Sequence, residues 1–468
     1  MAVTAAIMVP HPPIILPEVG HGEEKKIRAT ADAYAEAARF AADADPDVIV
    51  VASPHSILYS DYFHISPGRR ASGDMSRFGA GSVRISVDYD EPFVREIAAC
   101  AERAGLPAGT LGERDRSLDH GTMIPLYFLD KVMDLRRIPV VRMSLSGEPL
   151  ADHYRLGMCV AEASEKLGRK VLFVASGDLS HKCRAECPYG FAPEGPEYDK
   201  RIMDVMGSGD FARLFSFDEA FLDRAAECGH RSFVIMAGAL DGKRVDVRRL
   251  SHEDTFGVGY GVCVYSVSGE DDSREFLRSY EEEKKQRMKE KYEGGDEYIR
   301  LARASLEKYV KTGKMLGRSE YPEDLPREML EKQAGTFVSL HKDGRLRGCI
   351  GTIGPTKDCI ADEIVGNAVS AAVRDPRFFP VQIPELPYLE ISVDVLGDTE
   401  PIASPDELDV KRYGVIVSSG MKRGLLLPNL DGVDNIDEQI RIAREKGGIA
   451  ENDPNIRLER FEVIRHEV

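Results

Sequence analysis

Through the first 270 positions, short apolar runs alternate with longer stretches whose apolar residues recur at helical spacing. Val3–Val9, Asp47–Ala52, Ile138–Met143 and Lys170–Ala175 are apolar without polar alternation, the pattern of strands covered on both faces. Between them Ala29–Ala42, Pro92–Ala104 and Leu150–Leu167 have helical length and composition, and Tyr260–Val267 supplies a closing strand. This alternation predicts an α/β domain, a mostly parallel sheet flanked by helices. In such sheets ligands gather beyond the carboxyl ends of the strands, and chemistry is to be sought there.

The pattern changes at Glu270–Glu293, where nine acids and seven bases crowd into EDDSREFLRSYEEEKKQRMKEKYE. Glu281 stands i,i+3 and i,i+4 from Lys284 and Lys285, the spacing of a solvated helix, and Gly294-Gly295 ends it. A charged helical linker over 269–295 therefore separates a domain at 1–268 from one at 296–468. The second region opens with a helix, Glu297–Lys311, and then becomes strand-rich. Thr336–His341, Leu346–Thr352, Leu389–Val395, Tyr413–Ser418 and Gly424–Leu427 read as strands, with helices at Cys359–Val373 and Ile436–Lys446. That is the pattern of a smaller α+β domain.

Composition narrows the partners. Asp and Glu number 79 against 62 Lys and Arg, a formal charge of −17. An acidic surface without a basic run disfavours nucleic acid. No run reaches the roughly 18 apolar residues of a membrane span. The start, MAVTAAIMVPHPP, lacks a basic n-region and is broken by prolines, so it reads as a core strand. Eight cysteines in 468 residues suit a reducing cytoplasm better than a disulfide framework.

Candidate chemistry lies in the histidines. His11 follows the first strand in VPHPP, His55 the second in VASPHS, and His181 the fourth in VASGDLSH; His120 lies in SLDHGT before an apolar helix. Each alone reads more readily as a polar cap at a strand end than as a ligand. Together, at the carboxyl ends of one parallel sheet, they converge on one rim, and imidazole is the commonest side chain for metal ligation and proton transfer near neutrality. Asp178 either orients an imidazole or caps a turn. Non-haem iron sites of this type add one carboxylate to two histidines. Glu227, ahead of the apolar helix in AAECGHRSFVIMAGAL, is the preferred carboxylate; its other use is as a first-turn acid on the helix dipole. Cys228 beside it is a competing ligand. His21, His64, His153, His230 and His252 lack the strand-end setting.

These motifs, in this order over roughly residues 1–268, resemble the class III extradiol dioxygenase family. The resemblance implies Fe(II) held by His11, His55 and Glu227, with His181 as acid/base and His120 hydrogen-bonded to a catechol-like substrate or dioxygen. The Glu227-Cys228-Gly229 segment also resembles the Memo family, a branch of that fold with a cysteine in the third-ligand region, and Cys228 in that role would shift metal preference toward copper or zinc.

In the second region, Leu346-Arg347-Gly348-Cys349-Ile350-Gly351, Asp375-Pro376-Arg377-Phe378 and Gly424-Leu425-Leu426-Leu427-Pro428 resemble the AMMECR family. Cys349 reads either as a nucleophile or ligand beside Arg347, or, preferably, as a small strand residue, and Asp375-Pro376-Arg377 as a turn with a local ion pair. The fusion resembles the AmmeMemoRadiSam arrangement, which implies a radical SAM protein as partner. This chain holds no CxxxCxxC of its own, since Cys183 and Cys187 supply only the first spacing. A homo-oligomer is compatible with such a domain, but no interface is legible.

Overall fold

The computed structural model describes residues 3–186, 188–430 and 432–467, so Cys187 lies outside the described residues. It divides into two compact units, Met1–Glu281 and Glu282–Val468.

The first unit is built on six strands: β1 (Val3–Val9), β2 (Val48–Ser53), β3 (Val140–Ser144), β4 (Val171–Ser176), β5 (Lys243–Glu253) and β6 (Tyr260–Glu270). Their order across the sheet is β3-β2-β4-β1-β6-β5. The first four run parallel, while β6 pairs antiparallel with β1 and β5 with β6. Consecutive residues of β1 enter different cores. Ala6 and Met8 face the helices Glu91–Arg103, Leu150–Leu167 and His230–Ala239, and Ile7 and Val9 face Arg28–Asp43 and His120–Asp130. Burial on both faces is why β2 and β4 carry no polar alternation. Truncating a core ring such as Phe173, fully buried on β4, would cost about 3–5 kcal/mol. The arrangement places the carboxyl ends of β2, β4 and β1 side by side.

Two elements escape the apolar pattern. β5, at the sheet edge, alternates half-buried and exposed residues over its first half and is half-buried after that. Arg70–Met75 and Ala80–Asp88 form a separate antiparallel hairpin whose apolar side, Ala71, Met75, Val83, Ile85 and Val87, reaches the core.

The segment read as a linker over 269–295 contains the end of β6 and the helix Phe276–Glu293, within which the division between units falls. The helix carries the i,i+4 pairs Glu283 with Arg287 and Lys289 with Glu293, while Glu281, expected to meet Lys284 and Lys285, pairs with Arg155. It is not wholly solvated: Leu277 joins the first unit's core, and Met288 and Tyr292 join the second's.

The second unit opens with Glu297–Thr312, whose start is capped by Asp296 accepting from the Tyr298 and Ile299 amides. This helix and Ile360–Val373 cover one four-stranded antiparallel sheet: Arg345–Gly351, Thr336–Lys342, Leu389–Leu396 and Val463–His466. A second antiparallel sheet, Glu400–Ile402, Arg457–Phe461, Gly414–Ser419 and Lys422–Leu426, carries Ile436–Lys446. On the first sheet, Cys349 stands opposite Ser339, whose hydroxyl donates to Sγ at 3.2 Å. Arg347 on the same face is committed to Glu385 at 2.8 Å, and Asp375 pairs with Arg377 at 2.6 Å.

Candidate functional site

The loops after β1, β2 and β4 meet at one rim, as adjacency of those strands requires. The ligand nitrogens of His11, His55 and His120 all lie within 4.8 Å of one another. Their ring centroids are 4.6 Å apart for His11 and His55, 4.0 Å for His55 and His120, and 5.5 Å for His11 and His120. His11 is buried, His120 half-buried and His55 open to solvent.

Hydrogen-bond arithmetic assigns the His11 tautomer. The Ser176 hydroxyl has one proton, which it donates to the Gly121 carbonyl at 2.6 Å. It therefore accepts from His11 Nδ1–H at 2.9 Å, leaving a lone pair on His11 Nε2. His55 Nε2 lies 2.9 Å from that lone pair and donates to it. Ligating a cation through Nε2 of both rings requires His55 to shift this proton to its other nitrogen. The backbone of His11 is fixed by donation from its N–H to Asp178 Oδ1 at 2.7 Å.

Asp119 ties the other two histidines together. It caps the helix that begins at His120 by accepting from the Thr122 amide at 2.9 Å, and it accepts from Ser53 Oγ at 2.6 Å. Ser53 Oγ in turn accepts from the His55 amide at 3.2 Å. Arg142, almost completely buried on β3, stands 3.7 Å from Asp119 and donates to the Ser117 carbonyl and to Ser66 Oγ. Gly121 of the DHG motif has no room for a side chain, because a Cβ there would stand 2.5 Å from Ser53 Oγ.

His181 occupies the far side of the rim. Its Nδ1–H donates to the Ala226 carbonyl at 2.5 Å and its backbone N–H to the same oxygen, so Nε2 is its basic nitrogen. Ala226 holds φ at +50°, strained for a residue with a Cβ, and this turn aims the following residues. Gly177 of the SGDLSH motif makes room for that segment: a Cβ would lie 2.1 Å from Gly229 Cα.

The turn separates the two candidates for the third ligand. The Glu227 carboxylate accepts from the His230 amide at 2.6 Å at the start of His230–Ala239. It is the first-turn acid, and its partner is a helix N-terminus. Cys228 takes the inward position, with Sγ 3.5 Å from His11 Nε2. His120, expected to hydrogen-bond substrate or dioxygen, lies in one cluster with His11 and His55 and also lines the adjoining cavity.

Burial dominates the electrostatics of the cluster. Burial, reinforced by the neighbouring imidazoles, holds His11 well below its usual range, and burial lowers His55 and His181 and brings His120 down to about 4. All four are thus neutral at pH 7, the form that ligates metal. Burial pushes Asp178 up to about 7, with Asp199 adding to it and the His11 amide opposing. Burial likewise pushes Glu227 up to about 7 and the Cys228 thiol far above its usual value, with Asp178 and Glu227 adding to the latter. Three imidazoles with ligating nitrogens within 4.8 Å of one another, beside the Cys228 thiol, form a donor set that suits a divalent or soft cation.

A cavity of about 770 Å³ adjoins the cluster, with His55 and His120 in its wall. Sequence reasoning found the four histidines and both candidates for the third ligand. It missed Ser176, Asp119 and Arg142. Ser176 carried a legible signal, a hydroxyl at the last position of a buried strand, whereas an arginine in an apolar strand carried none.

Residues 5–263 match the family described as the catalytic LigB subunit of aromatic ring-opening dioxygenase, and residues 299–466 match AMMECR1. Protein CA_C1420 of Clostridium acetobutylicum is 39% identical over 474 residues, covering 100% of both chains. A protein of Thermotoga maritima is 48% identical over 175 residues, 37% of this chain and 99% of its own. The crystal structure of protein PH0010 from Pyrococcus horikoshii is 32% identical and covers 37% of this chain and 91% of that one, with a TM-score of 0.34. The chain therefore belongs to the LigB family of ring-opening dioxygenase catalytic subunits, with an AMMECR1 domain fused behind it.

Proposed function

We propose that the first unit is a non-haem iron oxidoreductase of the extradiol type, acting on a catechol-like substrate with dioxygen. The observation that carries this reading is the convergence of His11, His55 and His120 within 4.8 Å at the sheet rim. His11 and His55 would hold Fe(II), with Cys228 or His120 completing the set. Bound there, the metal would supply a chelating centre for a catecholate and for dioxygen. The chain's own residues do the rest. Ser176 keeps a lone pair on His11 Nε2, and Asp119 keeps His55 and His120 in register. His181, neutral and with Nδ1–H committed to Ala226, takes the catechol proton on Nε2 and returns it to the opened product. The cavity holds the ring beside His120.

The test is anaerobic loading with Fe(II), addition of a catechol panel, and then oxygen. Roughly stoichiometric iron, oxygen uptake and a ring-opened product carrying both oxygen atoms are expected. Iron bound without any ring-opened product would defeat the dioxygenase reading.

A second reading is favoured by Cys228, whose thiol stands 3.5 Å from His11 Nε2. In it the unit is a metal-binding or redox component, with copper or zinc at a His and Cys site, serving a radical SAM partner without cleaving a ring. Tighter Cu(I) than Fe(II) binding, lost in Cys228→Ser, would support it. Among the described residues no helix is long and apolar enough to cross a membrane, and we place the protein in the cytoplasm as a possible homo-oligomer without a nucleic-acid partner.

A further inference from the structure

One wall of the cavity comes from the hairpin that the apolar pattern did not reveal. Its tip, Ser76–Phe78, joins the strands Arg70–Met75 and Ala80–Asp88. Phe78 leans from the tip over the histidine cluster: its ring meets that of His120 edge to face, centroids 5.2 Å apart, and both rings line the cavity. The fold does not need this ring for its core. Phe78 is 37% exposed, whereas Met75 and Ile85 beside it are 1% and 6% exposed and anchor the hairpin. A large apolar ring left in water on an anchored hairpin, in contact with a candidate ligand, has a place in recognition that burial does not explain.

We propose that Phe78 is the specificity-determining residue of this cavity, a roof that admits a flat ring beside His120 and rejects substituents standing out of the ring plane. This rests on the reading of the site as one that binds catechols. An aromatic roof packs best against another flat ring. Because Met75 and Ile85 fix the strands on either side of the tip, the roof cannot lift without uncovering buried apolar surface.

The experiment uses the full chain as wild type, Phe78→Ala and Phe78→Tyr. Two probes, 4-nitrocatechol and 3,5-di-tert-butylcatechol, are titrated anaerobically into Fe(II)-loaded protein and followed by absorbance. Wild type and Phe78→Tyr should prefer the flat probe, and Phe78→Ala should shift the ratio of dissociation constants toward the bulky probe by about tenfold, with iron content unchanged. A ratio in Phe78→Ala equal to that of wild type overturns the proposal. In parallel, metal-free protein is treated with diethyl pyrocarbonate and modification of His120 is timed by peptide mass spectrometry. Phe78→Ala should raise that rate several-fold, Phe78→Tyr should not, and an unchanged rate overturns the roof whatever the catechols do. If neither probe binds wild type while the His120 rate rises, the roof stands and the catechol reading falls.

Discussion

Glu227 offers the sharpest test of how this site is wired, because its two possible roles predict opposite behaviour. As a metal ligand it would be replaced by an amide only with heavy loss of metal. As the structure has it, the carboxylate is 5% exposed and bonded to the His230 amide, and burial raises it from 4.5 to about 7. That difference corresponds to roughly 3 kcal/mol between the two protonation states. Between pH 4.5 and 7 the native protein holds a proton that the unfolded chain has released. The stability is therefore fully present below the lower value and falls as pH rises through the upper one. Glu227→Gln removes the ionisation while keeping an oxygen for the His230 amide. In metal-free protein it should stabilise the first unit by up to about 3 kcal/mol at pH 8 and by almost nothing at pH 4.5. Urea unfolding of variant and wild type at the two pH values, followed by signals assigned to the first unit, reads the difference, and metal titration of the same samples should show unchanged affinity. A stability difference independent of pH, or metal lost with Glu227→Gln, would refute the reasoning.

Four further outcomes follow from the same geometry. His11→Ala should lose metal, whereas His181→Ala should lose turnover and weaken metal binding far less than His11→Ala does; equal metal loss, measured by elemental analysis, would mean their roles are misassigned. Ser176→Ala frees the His11 tautomer and should weaken metal binding by about 10–100-fold in competition with a chelator, while leaving the buried Gly121 carbonyl and His11 Nδ1–H without a partner should destabilise the first unit by about 1–3 kcal/mol. Gly177→Ala places a methyl against Gly229 Cα and should separate the His181 loop from Cys228, lowering both metal affinity and thermal stability. In the second unit, Arg377 holds the Asp375 carboxyl well below the usual carboxylate range. Its stabilisation is present above the unfolded value of 3.8 and lost as pH falls through the native one. Asp375→Asn should therefore destabilise more at pH 7 than at pH 3 in parallel melts.

How much of this fold the apolar pattern reveals depends on how completely each element is buried. β1, β2 and β4 are covered on both faces, so their runs are continuous and their limits fall within a residue of expectation. β5 is covered on one face at a sheet edge, and its alternation in KRVDVRRLSHE is diluted by charge. The Arg70–Asp88 hairpin packs only its inner side on the core, so the roof over the cavity was invisible. The charged helix after β6 was legible from ion-pair spacing, but spacing between charges says nothing of Leu277, Met288 and Tyr292, the few apolar residues that dock it at its two ends.

The candidate site divides along the same physical line. Parallel strand order carries His11, His55 and His181 to one rim whatever their side chains do, because the sheet brings strand ends together before any loop detail matters. The choice between Glu227 and Cys228 is of another kind. Glu227 forms an isolated bridge with Ser180 immediately after the left-handed turn at Ala226. The sequence prefers the carboxylate over the thiol but carries no signal of the turn that gives the two side chains different partners. The decision belongs to the backbone one residue earlier, where Ala226 adopts φ +50° because its carbonyl is held by His181. That single turn sends the carboxylate to the helix amides and the thiol to His11. The residue proposed to move protons thus also fixes which atom faces the candidate metal, and a change at His181 that released the Ala226 carbonyl would disturb the Cys228 position as well. His181→Gln, whose side-chain amide can still donate to Ala226, should therefore keep metal affinity closer to wild type than His181→Ala while abolishing turnover equally; the reverse order of affinities would show that the turn at Ala226 holds its shape unaided.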